Sequence, residues 1–233
     1  MSFTAIEAAS GDGGADGLTT ISYQTGTTAS QHAGTITFPS GINSGDVLIV
    51  MQNSEDYNNS IPAAYGTGFT SVGTVTGTTS SGDDTVYYRT CVSVKVADGT
   101  EASASIGGFI NADDRESAVV YVYRPNVAAT AIAAFDVETQ YTNGNPTAQT
   151  INASSSTEVV IAFGCFGGTT DTNMSITWSV TSDQDFTVAN GFADIKSRAT
   201  GYAKGTAVDI TADTSDSGSA NMIISGYIEV TAP

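Results

Sequence analysis

The sequence predicts an all-β protein, a single antiparallel β-sandwich of jelly-roll type with about a dozen strands. Three observations predict it. First, residues 46–51 (Asp-Val-Leu-Ile-Val-Met) and 158–166 (Glu-Val-Val-Ile-Ala-Phe-Gly-Cys-Phe) are apolar on both alternate faces. Short β-branched and aromatic runs between turn formers read as strands covered on both sides. Second, residues 86–96 alternate between an apolar and a polar face. Third, Gly, Ser and Thr are abundant, turn signals recur at short intervals, and no Ala/Leu/Glu/Lys-rich periodic run is present. That balance favours strands over helices.

In chain order, residues 1–33 are rich in Gly, Ser, Thr and Asp, with Gly11-Asp12-Gly13-Gly14-Ala15-Asp16-Gly17 at their centre. They cannot build a core and are expected to form an extended N-terminal arm that orders against something else. The sandwich domain occupies 34–233. It opens with a strand at 35–38, turns from Pro39 to Gly45 and enters the acid-led run 46–51. A polar loop over 52–68, holding Tyr57, Pro62 and Tyr65, precedes a short strand at 69–75 and a second loop at 76–84. Along 86–96, Val86, Tyr88, Thr90, Val92, Val94 and Val96 share one face, and Tyr87, Arg89, Cys91, Ser93 and Lys95 the other. Beyond Asp98-Gly99 the alternation resumes, with Ala102, Ala104 and Ile106 opposite in sense to Glu101, Ser103 and Ser105. Matching faces in a hairpin places Val96 opposite Ala102 and Lys95 opposite Ser103. This requires the three-residue connection Asp98-Gly99-Thr100, or a bulge.

Residues 117–124 are again apolar on both faces and stop at Pro125; 132–139 alternate weakly; 141–146 is a loop around Asn143-Gly144-Asn145-Pro146. After 158–166, strands are expected at 175–180 around the single tryptophan, Trp178, and at 185–189. Two more follow at 196–210, interrupted at Gly201 or Gly205, and at 221–230. The two parts of the chain share an order. An acid-led buried strand is followed by a loop and then by a long strand carrying Arg89 or Arg198. A Gly-Thr turn (Gly99-Thr100, Gly205-Thr206) and an apolar strand complete each part. One sandwich built from two related halves is the expectation.

The charge narrows the function. With 24 acids against 7 bases the formal charge is −17, a field that repels phosphate backbones and anionic lipid, so nucleic acid and membrane surfaces are excluded as partners. No stretch reaches the ~18 apolar residues of a membrane-spanning helix. The first residues, Met-Ser-Phe-Thr-Ala-Ile-Glu, lack the basic and apolar regions of a signal peptide. Synthesis and retention in the cytoplasm are expected. Two cysteines are too few for a disulfide scaffold; Cys91 falls on the polar face of its strand and Cys165 in a buried one, both as free thiols.

Catalytic chemistry finds little support. His32, the one histidine, sits in the arm, where no rigid partner can form a Ser-His-Asp or Cys-His site, and one His with two distant Cys is no zinc set. Paired carboxylates are the remaining route to an enzyme, a glycoside hydrolase, with Asp83, Asp84, Glu101, Glu116, Glu138 and Glu229 as candidates. Calcium is the one cofactor with candidate ligands: Asp12 and Asp16, Asp83 and Asp84, Asp113 and Asp114, Asp171 and Asn173. None has EF-hand spacing, and turn-forming Asp on an acidic surface is the stronger reading. Tyr57, Tyr65, Tyr87, Tyr141 and Trp178 are candidates to stack on sugar rings or to pack at a subunit contact.

Three stretches carry a resemblance: Gly45-Asp46-Val47-Leu48-Ile49-Val50; Tyr88-Arg89 with Val96-Ala97-Asp98-Gly99-Thr100-Glu101; and Ala118-Val119-Val120-Tyr121-Val122-Tyr123-Arg124. In this order they resemble small β-sandwich virion proteins of tailed bacteriophages, namely head decoration (cement) proteins and tail or fibre modules. The resemblance covers about residues 40–125. It implies a non-enzymatic structural protein that forms homotrimers on a virion and binds the major capsid protein or another virion protein. It transfers no functional residues. The competing expectation is a carbohydrate-binding, lectin-like module of a tail fibre or surface protein.

Overall fold

The computed structural model describes residues 18, 20–29, 35–56, 68–81, 84–107, 115–143, 146–152, 159–169, 175–178, 184–189, 193–202, 207–213 and 220–232. No helix occurs among them. The strands of the first part are β1 (Ile21–Ala29), β2 (Thr35–Thr37), β3 (Val47–Asp56), β4 (Thr70–Ser81), β5 (Asp84–Val96), β6 (Ser105–Gly107) and β7 (Arg115–Pro125). Those of the second are β8 (Ala131–Asn143), β9 (Gln149–Asn152), β10 (Val159–Thr169), β11 (Ser175–Trp178), β12 (Gln184–Ala189), β13 (Ala193–Tyr202), β14 (Ala207–Asp213) and β15 (Ala220–Thr231).

The two acid-led runs explain the plan. β3 and β10 are each the third strand of a five-stranded antiparallel sheet, β1-β7-β3-β5-β4 and β12-β13-β10-β15-β8. Side chains alternate across a strand, so a run apolar on both faces needs a cover on each. On one face of β3, Val47, Ile49 and Met51 join Ile161, Phe163 and Cys165 of β10 in a core between the two large sheets. On the other, Leu48 and Val50 pack with Ile36, Phe38, Ile42 and the Ala118, Val120 and Val122 face of β7. There the two-stranded sheet β2-β6 supplies Ile36. The outward face of β10 (Val160, Ala162, Phe166) is buried as well, beside the three-stranded sheet β11-β14-β9.

The second part repeats the first strand for strand. Pairings β1·β7, β3·β7, β3·β5, β4·β5 and β2·β6 have counterparts in β8·β15, β10·β15, β10·β13, β12·β13 and β9·β14, all antiparallel. Only β11 is an addition among the described strands. The contacts between the large sheets obey a pseudo-two-fold. β4 lies against β8 and β15 while β12 lies against β1 and β7, and β5 touches β10 and β15 while β13 touches β3 and β7. Where the halves meet, Thr90 donates to Asn53 Oδ1 at 3.1 Å and lies 3.8 Å from Met222 Sδ. Gly167 of β10 sits on this group, and a Cβ there would collide with Thr90 and Asn53. In each half the first, third, fifth and seventh of the shared strands lie in the large sheet and the second and sixth in the small one. The fourth, β4 or β12, stays in the large sheet, where a full jelly roll would send it across.

Several expectations are corrected. The hairpin between 86–96 and 101–106 does not form. β5 is flanked by β3 and β4, so no edge remains for a third partner, and Ile106 pairs instead with Ile36 of β2. Residues 52–56 and 76–81, expected as loop, continue β3 and β4. Ladder hydrogen bonds hold Gln52, Asn53 and Ser54 in the strand although they are polar, and each is at most 1 % exposed. Cys91 is buried rather than on a wet face. Residues 21–29, placed in the arm from sequence, form β1 on β7, with Tyr23 edge-on to Tyr121 and Tyr123 at 6.4 and 5.8 Å between ring centroids.

Candidate functional site

Parts of the three stretches that carry the resemblance, Gly45-Asp46, Ala97 to Glu101 and Arg124, converge at the rim where β3 begins. Gly45 has φ +87°, and a Cβ there would strike Ala128, so the turn into β3 needs glycine. Main-chain bonds Gly45 N to Ala97 O and Ala97 N to Asp46 O, both 2.8 Å, tie that turn to the end of β5. The Asp46 carboxylate, 2 % exposed, takes Arg124 Nε on Oδ1 at 2.8 Å and Arg124 Nη2 on Oδ2 at 2.7 Å. It also accepts the Asn43 N–H at 2.8 Å. Arg124 donates further to the Gly41 carbonyl at 2.8 Å. The hydrogen bonds to Asp46 raise the Arg124 pKa.

A second charged group lies beside it. Glu101, 1 % exposed, accepts the Gly99 and Asp98 N–H groups at 3.1 and 3.4 Å and pairs with Lys95 Nζ at 2.6 Å. This carboxylate folds the 97–101 segment back on itself, where the sequence reading expected a hairpin. Asp98 accepts both the hydroxyl (2.5 Å) and N–H (2.9 Å) of Thr100 and contacts Lys95 at 3.2 Å. The Thr100 bonds and then Lys95 pull the Asp98 carboxyl from 3.8 to about 2. Burial opposes the Lys95 charge, but its bonds to Glu101 and Asp98 prevail and raise its pKa. Every carboxylate in this group is committed to a main-chain or ion-pair partner, so the rim is a clamp.

At the opposite rim, a cleft of about 460 Å³ opens between β4, the start of β5 and the end of β8, lined by Thr76, Gly77, Thr78, Tyr87, Tyr88, Arg89 and Tyr141. Tyr141 leans over Gly77, where a Cβ would overlap its ring, and donates its hydroxyl to the Thr78 carbonyl at 2.6 Å. The ring is thereby fixed in place. Three tyrosines, Arg89 and three hydroxyl-bearing or bare strand positions line it, a surface able to stack on and hydrogen-bond a polar ring.

Of the expected site residues, Tyr141 and Tyr87 both line this cleft. Tyr141, expected in a loop, is part of β8, and it lies on the core side of its sheet. Trp178 belongs to β11 in the outer three-stranded sheet, paired with Ile210, so these two do not share a platform. Tyr57, Tyr65, His32, Asp12, Asp16, Asp83, Asp113, Asp114, Asp171 and Asn173 lie outside the described residues. Among the described residues no group of three or more His, Cys, Asp or Glu could hold a metal ion. Of the carboxylate candidates, Glu101 is committed to the clamp. Glu138 pairs in register with Ser225, four residues from Glu229 on β15, which puts their backbones about 13 Å apart. Thr76, Gly77, Thr78, Tyr88 and Arg89 were missed as cleft residues. Their signal was the alternation of 86–96, which continues across to β4.

No family model, curated protein or solved structure matches this chain. Among the described residues no helix is long and apolar enough to cross a membrane.

Proposed function

We propose that this is a non-enzymatic structural protein of a virion, a decoration protein that seats at junctions between capsomers and stabilises the shell. The observation that carries the reading is the internal pseudo-two-fold. A chain made of two like halves, back to back, offers related outer surfaces on opposite sides and so meets two like neighbours at once. Binding two sites through one rigid body adds their affinities without a second association cost. The clamp supports the same reading. Asp46, Asp98, Glu101 and Arg124, from the stretches behind the resemblance to phage virion proteins, serve as fold-holding ion pairs, as a contact scaffold requires. The partner on this proposal is the major capsid protein or another virion protein, and the protein resides on the particle as a homo-oligomer.

The test is reconstitution. Purified protein is added to undecorated shells, and occupancy and shell rupture temperature are read together. Binding at junctions with a higher rupture temperature is expected; no binding to any shell tried would sink the proposal. The cleft at Tyr87 and Tyr141 favours a second reading, a carbohydrate-binding module of a fibre or surface protein. On that reading a glycan array gives a hit that Tyr87→Ala abolishes, and a blank array removes it.

A further inference from the structure

Four strands end the two large sheets: β1 and β4 in one, β8 and β12 in the other. An edge strand presents unpaired N–H and C=O groups, and folded chains blunt such edges with charge, proline or bulges. β8 carries Asp136 and Glu138, β12 carries Asp185, and β1 is bent by a bulge between Tyr23 and Thr25. β4 has no such defence. Its 12 residues contain no charge and no proline in a chain with 24 acids, and its one irregularity, between Ser71 and Gly73, lies near its start. Among the described residues β5 is its one ladder partner.

We infer that the free edge of β4 is a self-association surface, pairing antiparallel with β4 of a second copy about a two-fold near Thr76. Charge selects this occupant. Two copies at −17 each repel least where neither edge bears an acid, whereas a basic partner is drawn to the acid-bearing surfaces instead. Thr74, Thr76 and Thr78 are exposed on the outward face of the strand; Thr76 would meet its own counterpart and Thr78 the Thr74 of the second copy, as cross-strand threonine pairs. An isologous contact of this kind closes after two copies, in place of the trimer that the phage resemblance implies.

Tyr141 acts on the same edge. Main-chain groups two residues apart along a strand point the same way, so the Thr78 carbonyl that receives the Tyr141 hydroxyl belongs to the row an added strand must pair with. The hydroxyl therefore competes with the second copy for one end of the edge. None of this depends on the virion reading, since the pairing needs no particle.

The test is sedimentation velocity of the full chain over a concentration series. A reversible dimer is expected. Thr76→Pro, which removes an outward N–H at an edge position that tolerates proline, costs two symmetry-related bonds and weakens the dimer about thirtyfold. Thr76→Lys weakens it independently by placing like charges opposite each other. Tyr141→Phe frees the Thr78 carbonyl and tightens the dimer several-fold. Circular dichroism and melting temperature confirm that each variant is folded. A wild-type monomer throughout, a trimer, a dimer indifferent to both Thr76 variants, or a looser Tyr141→Phe dimer would each overturn the inference.

Discussion

Replacing Arg124 by alanine is the sharpest test of the rim clamp. The change removes three hydrogen bonds at 2.7–2.8 Å, two to Asp46 and one to the Gly41 carbonyl. It leaves a carboxylate that is 2 % exposed and still accepts the Asn43 N–H. Stranding one member of a fully buried pair costs about 3–5 kcal/mol. The Arg124 side chain is 34 % exposed, so solvent screens part of the attraction and about 2–3 kcal/mol is the expected loss. For a chain of this size each kcal/mol moves the melting temperature by about 2–4 °C, which predicts a fall of roughly 4–12 °C. Urea unfolding and calorimetry read both quantities. Arg124→Lys keeps the charge but not the two-pronged contact and should recover part of the loss. In the double variant Asp46→Asn, Arg124→Ala, removing the stranded charge should restore stability relative to Arg124→Ala alone. Stability of Arg124→Ala within about 0.5 kcal/mol of wild type, the range of an ordinary surface change, would refute the reasoning.

Other outcomes follow from the same geometry. Gly167→Ala drives a Cβ into Thr90 and Asn53 at the meeting of the halves and should cost about 1–3 kcal/mol, measured by urea unfolding; a neutral result means the halves separate more easily than their packing implies. Gln52 is 1 % exposed with neither carboxamide atom hydrogen-bonded among the described residues, so Gln52→Met should stabilise the protein by about 1 kcal/mol, and a loss of stability would show that the amide has a bonding role. The Lys95–Asp98–Glu101 group sets two pH limits. Asp98 is depressed, so its contribution is complete above its ordinary 3.8 and is lost as pH falls through about 2. Lys95 is raised, so its contribution is complete below its ordinary 10.5 and fades as pH rises past its elevated value. Urea midpoints should be flat from this group between those limits, and Asp98→Asn should remove the acid limb that it supplies.

The centres of the sheets were legible in sequence because they are covered twice. β3, β7 and β10 are apolar on both alternations, and that pattern is independent of which strand lies beside them. The repeated order of acid-led strand, arginine-bearing strand, Gly-Thr turn and apolar strand pointed to the two halves for the same reason. Partnership was not legible. Residues 101–106 alternate as a strand should, but alternation says nothing of which neighbour has a free edge, and β5 had none to give. Nor could polarity mark the end of β3, because Gln52, Asn53 and Ser54 are held by ladders on both sides rather than by hydrophobic burial. β1 escaped notice because Ile-Ser-Tyr-Gln-Thr-Gly-Thr-Thr-Ala resembles a linker until β7 is beside it. At the cleft, Tyr141 read as a loop residue since the turn signal of 143–146 overshadowed the last turnless residues of β8.

The ladder joining the first strand of each half to its last has a consequence for biosynthesis. β1 pairs Ile21 with Pro125, and β8 pairs Ala131 with Thr231, so each half is sealed by a contact spanning about 100 residues. At ribosomal speeds of roughly 5–20 residues per second, the closing strand leaves the ribosome on the order of 5–20 s after the opening one. Through that interval the most apolar strands, β3 and then β10, stand without their full cover, and non-local pairing of this kind is slow even once the chain is complete. The tandem arrangement softens the hazard. The first half holds all its strands before the second is made and can wait as a finished surface on which the second half is laid down.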